Sequence, residues 1–446
     1  MATIGIEIVD AALIAARDGV RVAASPGVAL VDGSAIATGE AAAAAARLKP
    51  ALVNDRFWSD LSTASFTRAE DPVVSHADLA HAQLAALWRA SAQPGDDAAF
   101  AVPGTMRPRE IGLLLGIARH IGIPVAGLVD SAIAASAGVP ARATVLHLDV
   151  QLYQAVLTEM QGAAILRRRR VEGAQRAGQK AMHAAWAQVV AEAMVRRTRF
   201  DPMHQAATEQ QLYQRLPEWL ADLAARESLD ATIDTDGGSF TATVRREQFT
   251  LAAEAWYAQI SELVHGGHRA DEPATLVLSA RASLLPALAE RLGSQPGLEV
   301  VALPDTAAAA GAAEHAGELG PAEPPALVTA LPRAHAAAGG DRRRQVAVAA
   351  THAILAGRAY AISEEPLVVG AGEGPGRRIA IPGVVAGISR QHCTLVAERG
   401  RAIVRDHSRY GTFVNGERVE GEAELGAGDR LRVGTPGVVL ELVTVG

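Results

Sequence analysis

Apolar positions near the start of the chain fall into short runs whose period changes along the sequence. Residues 3–10 (Thr3, Ile4, Gly5, Ile6, Glu7, Ile8, Val9, Asp10) favour extended backbone, and with residues 11–16 they lead to a turn at Asp18-Gly19. This predicts a hairpin, repeated over residues 21–30 and closed by Asp32-Gly33. The period then lengthens, with Leu79, Leu84, Leu87 and Trp88 at helical spacing within residues 75–92. Phe100-Ala101-Val102-Pro103 reads as a short buried strand. Residues 106–120 follow as a helix with Ile111, Leu114, Leu115 and Ala118 on one face. A strand over 123–128 comes next, and Asp130-Ser131 caps an apolar helix at 132–137. This alternation is the pattern of an α/β layer. The far end of the chain is strand-like again at 393–396 and 402–404, on either side of a turn at 398–401.

Length changes this picture first. A chain of 446 residues exceeds the roughly 250 to 300 at which one core stops growing, so at least two domains are expected. The composition, 49% hydrophobic and 4% aromatic, requires a core packed mainly from Ala, Val, Leu and Ile. Residues 317–340 carry Pro321, Pro324, Pro325, Pro332 and an Ala/Gly-rich tract, and they are expected to be a flexible linker between a domain at 1–316 and another at 341–446. The net charge of -7, from 42 basic and 49 acidic residues, argues against nucleic acid or an anionic membrane as the main partner. Cys393 stands alone and cannot form an internal disulfide, which fits a reducing cytoplasm. The apolar opening lacks a basic segment and carries Glu7 and Asp10, so it is read as a strand rather than a signal peptide. No apolar run of about 18 residues suggests a membrane span.

Three motifs near the C-terminus occur in a fixed order. They are Ser389-Arg390-Gln391-His392, then Asp406-His407-Ser408-Arg409-Tyr410-Gly411-Thr412 running to Asn415-Gly416, then Leu425-Gly426-Ala427-Gly428-Asp429. Together they resemble a forkhead-associated domain, a β-sandwich that reads phosphothreonine in a partner. A phosphothreonine carries about -1.5 to -2 charges and strong acceptor oxygens, so its reader needs hydroxyl, amide and guanidinium donors. The resemblance implies phosphopeptide contacts from Ser389, Arg390, Arg409 and Tyr410. It implies supporting roles for Gly370, His392, Gly411, Thr412, Asn415 and Gly416. Two positions depart from the family: Gly370-Ala371 where it has Gly-Arg, and Tyr410 where it has a backbone-fixing Asn. Arg409 and either Arg377 or Arg378 are candidates to replace the lost charge.

A second resemblance covers roughly residues 1–316 and rests on element order. Ala101-Val102-Pro103, the helix after it, Ile121-Gly122-Ile123 and the run from Val129-Asp130-Ser131 into an Ala-rich helix are similar to the actin and heat-shock-chaperone ATPase superfamily. That family is built from two ribonuclease H-like halves, and the segment 144–158 falls where the second half begins. Helices at 175–199 and 208–226, a hairpin at 232–244, a helix at 247–265, a strand at 275–279 and a helix at 284–292 follow in family order. The fold expected is therefore an α/β actin-like domain followed by an all-β sandwich.

The nucleotide loops of that family need glycine, because backbone amides must close on phosphate without a side chain in the way. The corresponding turns here read Glu7-Ile8-Val9-Asp10-Ala11, Asp149-Val150-Gln151-Leu152-Tyr153 and Leu278-Ser279-Ala280-Arg281-Ala282, all without glycine. Glu7 and Asp149 are therefore expected to mark a vestigial nucleotide site, with ATP not expected as a ligand and no cofactor. Arg167 to Arg170 are read as a solvated hairpin end, and His183, His204 and His265 are too scattered for a metal site. The expectation is a cytoplasmic, non-enzymatic adaptor in which a pseudo-ATPase scaffold is joined to a phosphothreonine-reading module. The rival expectations are an active ATPase regulated by its C-terminal module and a nucleotide-dependent filament protein.

Overall fold

The computed structural model describes residues 2–66, 74–267, 273–319, 326–333, 350–355, 358–372, 374–381, 388–398, 400–409, 411–414, 417–419, 421–427, 429–434 and 438–444. The chain divides into two compact units, Met1–Ala337 and Ala338–Gly446. The first is mixed α/β and the second is β-rich.

Two six-stranded sheets organise the first unit. In the first sheet Thr3–Ile8, Ala12–Arg17 and Val20–Pro26 form an antiparallel meander, and Asp97–Val102 and Val125–Asp130 add in parallel on the other side of Thr3–Ile8. The second sheet repeats this arrangement. Thr144–Val150, Gln154–Gln161 and Ile165–Gln175 form the meander, and Ala274–Leu278 and Leu298–Ala302 add in parallel to Thr144–Val150. Central parallel strands are covered on both faces, which is why they read as near-continuous apolar runs rather than alternations.

Side-chain alternation sends the two faces of each strand to different cores. Phe100 and Val102 face a core completed by the helices His76–Ser91 and Pro108–Ile121. Leu146, Leu148 and Val150 face one built on Gln179–Thr198, Ala206–Ala225 and Glu254–Gly266. The opposite faces, Ala99, Ala101 and Val129 from one sheet and Val145, Met160 and Val277 from the other, share a third core with the short helices Ser131–Ser136 and Ala307–Glu314. Small residues there let helix backbones meet: a Cβ on Gly311 would lie 2.0 Å from the carbonyl oxygen of Ala134. Ser75 and Asp78 close a capping box on the first long helix. Asp130 caps Ser131–Ser136 through Oδ1, which accepts from the amides of Ala132 and Ile133.

The stretch expected to be a linker is in part structural. Within 317–340, Leu327–Val328 adds in parallel to Val125–Asp130 of the first sheet, and Ala330–Pro332 pairs antiparallel with Ile165–Arg167 of the second. Leu331 is buried, and the Arg333 guanidinium, also buried, donates to the carbonyls of Val139, Ala141, Arg142 and Gly162. Proline content misleads here because Pro332 sits at the edge of its sheet, where the missing N–H leaves no ladder bond unmade. The arginine run also differs from the solvated hairpin end expected of it. It lies inside the strand Ile165–Gln175, with Arg168 paired to the fully buried Asp130 at 2.6 Å and Arg170 to Glu159 and Glu172. The helix expected over 247–265 is two helices meeting at Ala253.

The second unit is a sandwich. One sheet orders Arg358–Ala361, His352–Leu355, Val438–Val443, Arg430–Val433, Thr412–Val414 and Glu417–Arg418, and the other Arg378–Ala380, Leu367–Gly370, Cys393–Glu398, Arg401–Asp406 and Glu422–Leu425. Alternation sends Ala402, Val404, Leu431, Val433, Leu440 and Leu442 inward to one core, as two sheets packed face to face require.

Candidate functional site

In the sandwich, strand ends bring two loops together around a buried imidazole. His392 is fully buried just before the strand Cys393–Glu398. Its Nδ1 accepts from the Ser389 amide at 3.1 Å and its Nε2 lies 3.0 Å from the Gly411 carbonyl oxygen. One ring thus ties the 389 loop to the 411 loop, with the proton on Nε2 required by both contacts. The second loop is held from within. Asp406 Oδ1 accepts from the Thr412 hydroxyl at 2.7 Å and the Ser408 amide at 3.0 Å, and the Ser408 hydroxyl accepts from the Gly411 amide at 2.8 Å. Burial works against the Asp406 charge, but these hydrogen bonds win and hold its carboxyl below the usual range. Gly411 takes a left-handed φ of 86°, and Thr412 is fully buried.

Above this frame Ser389 is half-buried while Arg390 and Arg409 are exposed. The Ser389 hydroxyl receives the Arg409 amide at 3.5 Å, so the two loops adjoin at the residues expected to contact a phosphopeptide. Gly370 packs beneath the same loop: a Cβ there would lie 2.3 Å from the Arg390 carbonyl oxygen. The two candidate replacement arginines part company. Arg377 is bound to Ser363 and to the carbonyls of Ala361 and Glu365. Arg378 instead reaches the Ser389 loop and donates to the carbonyls of Gly372 at 2.9 Å and Arg390 at 3.0 Å. Tyr410, Asn415 and Gly416 lie outside the described residues.

A two-sheet sandwich that offers a serine hydroxyl and arginines from adjoining loops has the form of a protein-interaction module for phosphorylated peptides. Residues 367–434 match the FHA domain family, whose members are phosphopeptide-binding interaction modules. No curated protein matches the chain.

The first unit holds the other pair of expected residues. Glu7, on the first strand of the first sheet, and Asp149, on the first strand of the second, are both buried and lie on either side of one side chain, Arg281. Its Nη2 lies 2.6 Å from Glu7 Oε1 and 3.1 Å from Asp149 Oδ2, its Nη1 3.2 Å from Glu7 Oε2, and its Nε 2.9 Å from Asp149 Oδ1. Ser279 adds a hydroxyl donor to Asp149 at 2.7 Å. Burial pushes Glu7 above its ordinary range despite Arg281. Asp149, opposed by the same burial, is held below its range by Arg281, His147 and Ser279. Arg281 is kept charged against burial by the two carboxylates.

Sequence reasoning placed Arg281 only as part of a glycine-free loop. Its role comes from the strand Ala274–Leu278 lying beside Thr144–Val150, a pairing across more than 120 residues that no local pattern reveals.

The two hairpin turns beside this triad are bonded to each other, the Leu152 amide donating to Asp10 Oδ1 at 2.8 Å. Burial pushes Asp10 up to about 6, partly offset by that amide. A cavity of about 340 Å³ opens beside the turns, lined by Asp10, Arg56, Trp58, Thr105, Glu110 and Tyr153 among others, and its lining includes none of Glu7, Asp149 and Arg281. Among the described residues no cluster of His, Cys, Asp and Glu suits a metal ion, and no helix is long and apolar enough to cross a membrane.

Proposed function

We propose that the chain is an adaptor: its C-terminal module recruits a partner through phosphothreonine, and its N-terminal unit is an actin-like scaffold that does not turn over nucleotide. The carrying observation is the frame in which His392 joins two loops and presents Ser389 and Arg390. The hydroxyl and the guanidinium supply the two donor types a phosphate needs. Arg378, anchored to the carbonyl of Arg390, brings a further positive charge to the loop that Ala371 leaves without its family arginine.

For the N-terminal unit the reading rests on the repeated strand order, third-second-first-fourth-fifth in each sheet, which is that of two ribonuclease H-like halves. Three turns without glycine and a guanidinium placed between Glu7 and Asp149 support the absence of ATP chemistry. The lone cysteine is buried and its thiol is pushed up to about 12 by burial, so it is inert as a nucleophile and suits a cytoplasmic protein.

The test is a titration of a phosphothreonine peptide, with its unphosphorylated form as control, into wild type, Arg390→Ala and Ser389→Ala. A charge-assisted bond contributes roughly 1.5 to 3 kcal/mol, so Arg390→Ala should weaken binding about ten- to a hundredfold, and Ser389→Ala by less. Equal binding of the two peptides, or no effect of Arg390→Ala, removes the phosphate-reading role.

A further inference from the structure

The two halves of the N-terminal unit are joined by polar contacts at every depth of the cleft between them. At the floor, Arg281 of the second half spans Asp149 of its own half and Glu7 of the first. One level up, Asp10 receives the amide of Leu152, and Asp55 receives both the Tyr153 hydroxyl and the Lys180 ammonium. At the rim, the buried Gln210 on the helix Ala206–Ala225 accepts from the Arg47 amide at 2.8 Å through Oε1 and donates to the Ala43 carbonyl at 2.8 Å through Nε2. The Arg47 guanidinium lies 3.6 Å over the Tyr213 ring and 3.3 Å from Glu209.

Behind the cleft a strap completes the closure. Leu327–Val328 is laddered to the first sheet and Ala330–Pro332 to the second, with only Thr329 between them. The Thr329 carbonyl accepts from the Arg168 amide, and the Arg168 side chain crosses back to Asp130 in the first half. A single residue leaves no slack for the sheets to rotate apart while both ladders hold.

We infer that the N-terminal unit is a self-closed body in which Arg281 is an internal counter-ion standing where a ligand would otherwise bridge the halves, with the Gln210 clasp sealing the rim. The inference rests on the scaffold reading above and adds the closure. Opening the halves would draw the buried guanidinium away from Glu7 while Asp149, in its own half, stays paired, so opening leaves Glu7 without its counter-ion and carries a penalty that closing around a ligand does not relieve. The unit then offers its partners one fixed outer surface, where a hinged domain would offer two.

The experiment is a pulsed spin-label distance measurement on the full chain, with labels at Ala44→Cys and Glu218→Cys on opposite sides of the rim. Wild type should give one narrow distance population that magnesium-ATP leaves unchanged. Arg281→Ala should add a longer population, and Gln210→Ala a longer one as well. If Arg281→Ala does not fold, Glu7→Gln, which removes one of the two acids while keeping its shape, carries the floor test with the same expectation. Two populations in wild type overturn the closure, as does an unchanged single population in both the floor and rim variants. Heat from magnesium-ATP binding with a single population throughout would instead sink the nucleotide-silent reading and leave the closure standing.

Discussion

Asp10 shows how one buried carboxyl sets a pH dependence. Burial at the tip of the first hairpin pushes it up to about 6, against the pull of the Leu152 amide and Arg281. An acid whose titration is raised on folding stabilises the fold below its ordinary range, and that contribution is lost as pH rises through about 6. At pH 7.5 the fold therefore holds a charge it disfavours. Asp10→Asn keeps an oxygen to accept from Leu152 and removes the charge, so it should stabilise the protein at pH 7.5 by roughly 2 to 3 kcal/mol, with the gain shrinking toward pH 4.5. Denaturant unfolding of both proteins at the two pH values measures this. An equal difference at both pH values would exclude Asp10 as the titrating group.

Among the elements, the strap of residues 326–333 was the least expected. Its anchor is Arg333, whose guanidinium donates to four carbonyls and is held below its ordinary range by burial. Truncating it strands four carbonyls in the boundary between the sheet edge and the 139–142 loop. Hydrogen bonds from a charged donor contribute about 1.5 to 3 kcal/mol, so Arg333→Ala should cost roughly 2 to 4 kcal/mol of stability for the N-terminal unit. Arg333→Lys should recover only part of that, because an ammonium lacks the planar fork that reaches four acceptors. The check is the denaturant midpoint of the three proteins; an unchanged midpoint for Arg333→Ala would mean the strap holds without its anchor.

At the scale of the whole molecule, the division falls at Ala337 and Ala338, inside the 317–340 stretch expected to separate the domains, so the strands at 327–332 belong to the first unit. Residues 1–337 and 338–446 each enclose cores of their own. Expressed separately, each should unfold in a single cooperative transition, and a piece ending at 316 should be less stable than one ending at 337 because it lacks the strands at both sheet edges. Calorimetry on the three pieces distinguishes these outcomes. Magnesium-ATP titrated into the full chain should release no heat, and turnover abolished by Asp149→Ala would contradict the adaptor reading.

By itself the sequence determined what depends on local spacing and residue chemistry. The helix cap at Asp130 was legible there, as were the strand runs, the loss of glycine from three turns and the motifs around Ser389, His392 and Gly411. Only the tertiary structure decided what those pieces meet. It brought Arg281 between Glu7 and Asp149, sent Arg168 to Asp130, turned a proline-containing linker into paired strands, and assigned Arg377 and Arg378 to different partners. The reason is physical. Caps and turns satisfy hydrogen bonds within a few residues, so their signal is local, whereas the buried ion pairs and the sheet-edge anchor are satisfied by residues 38 to 274 positions away.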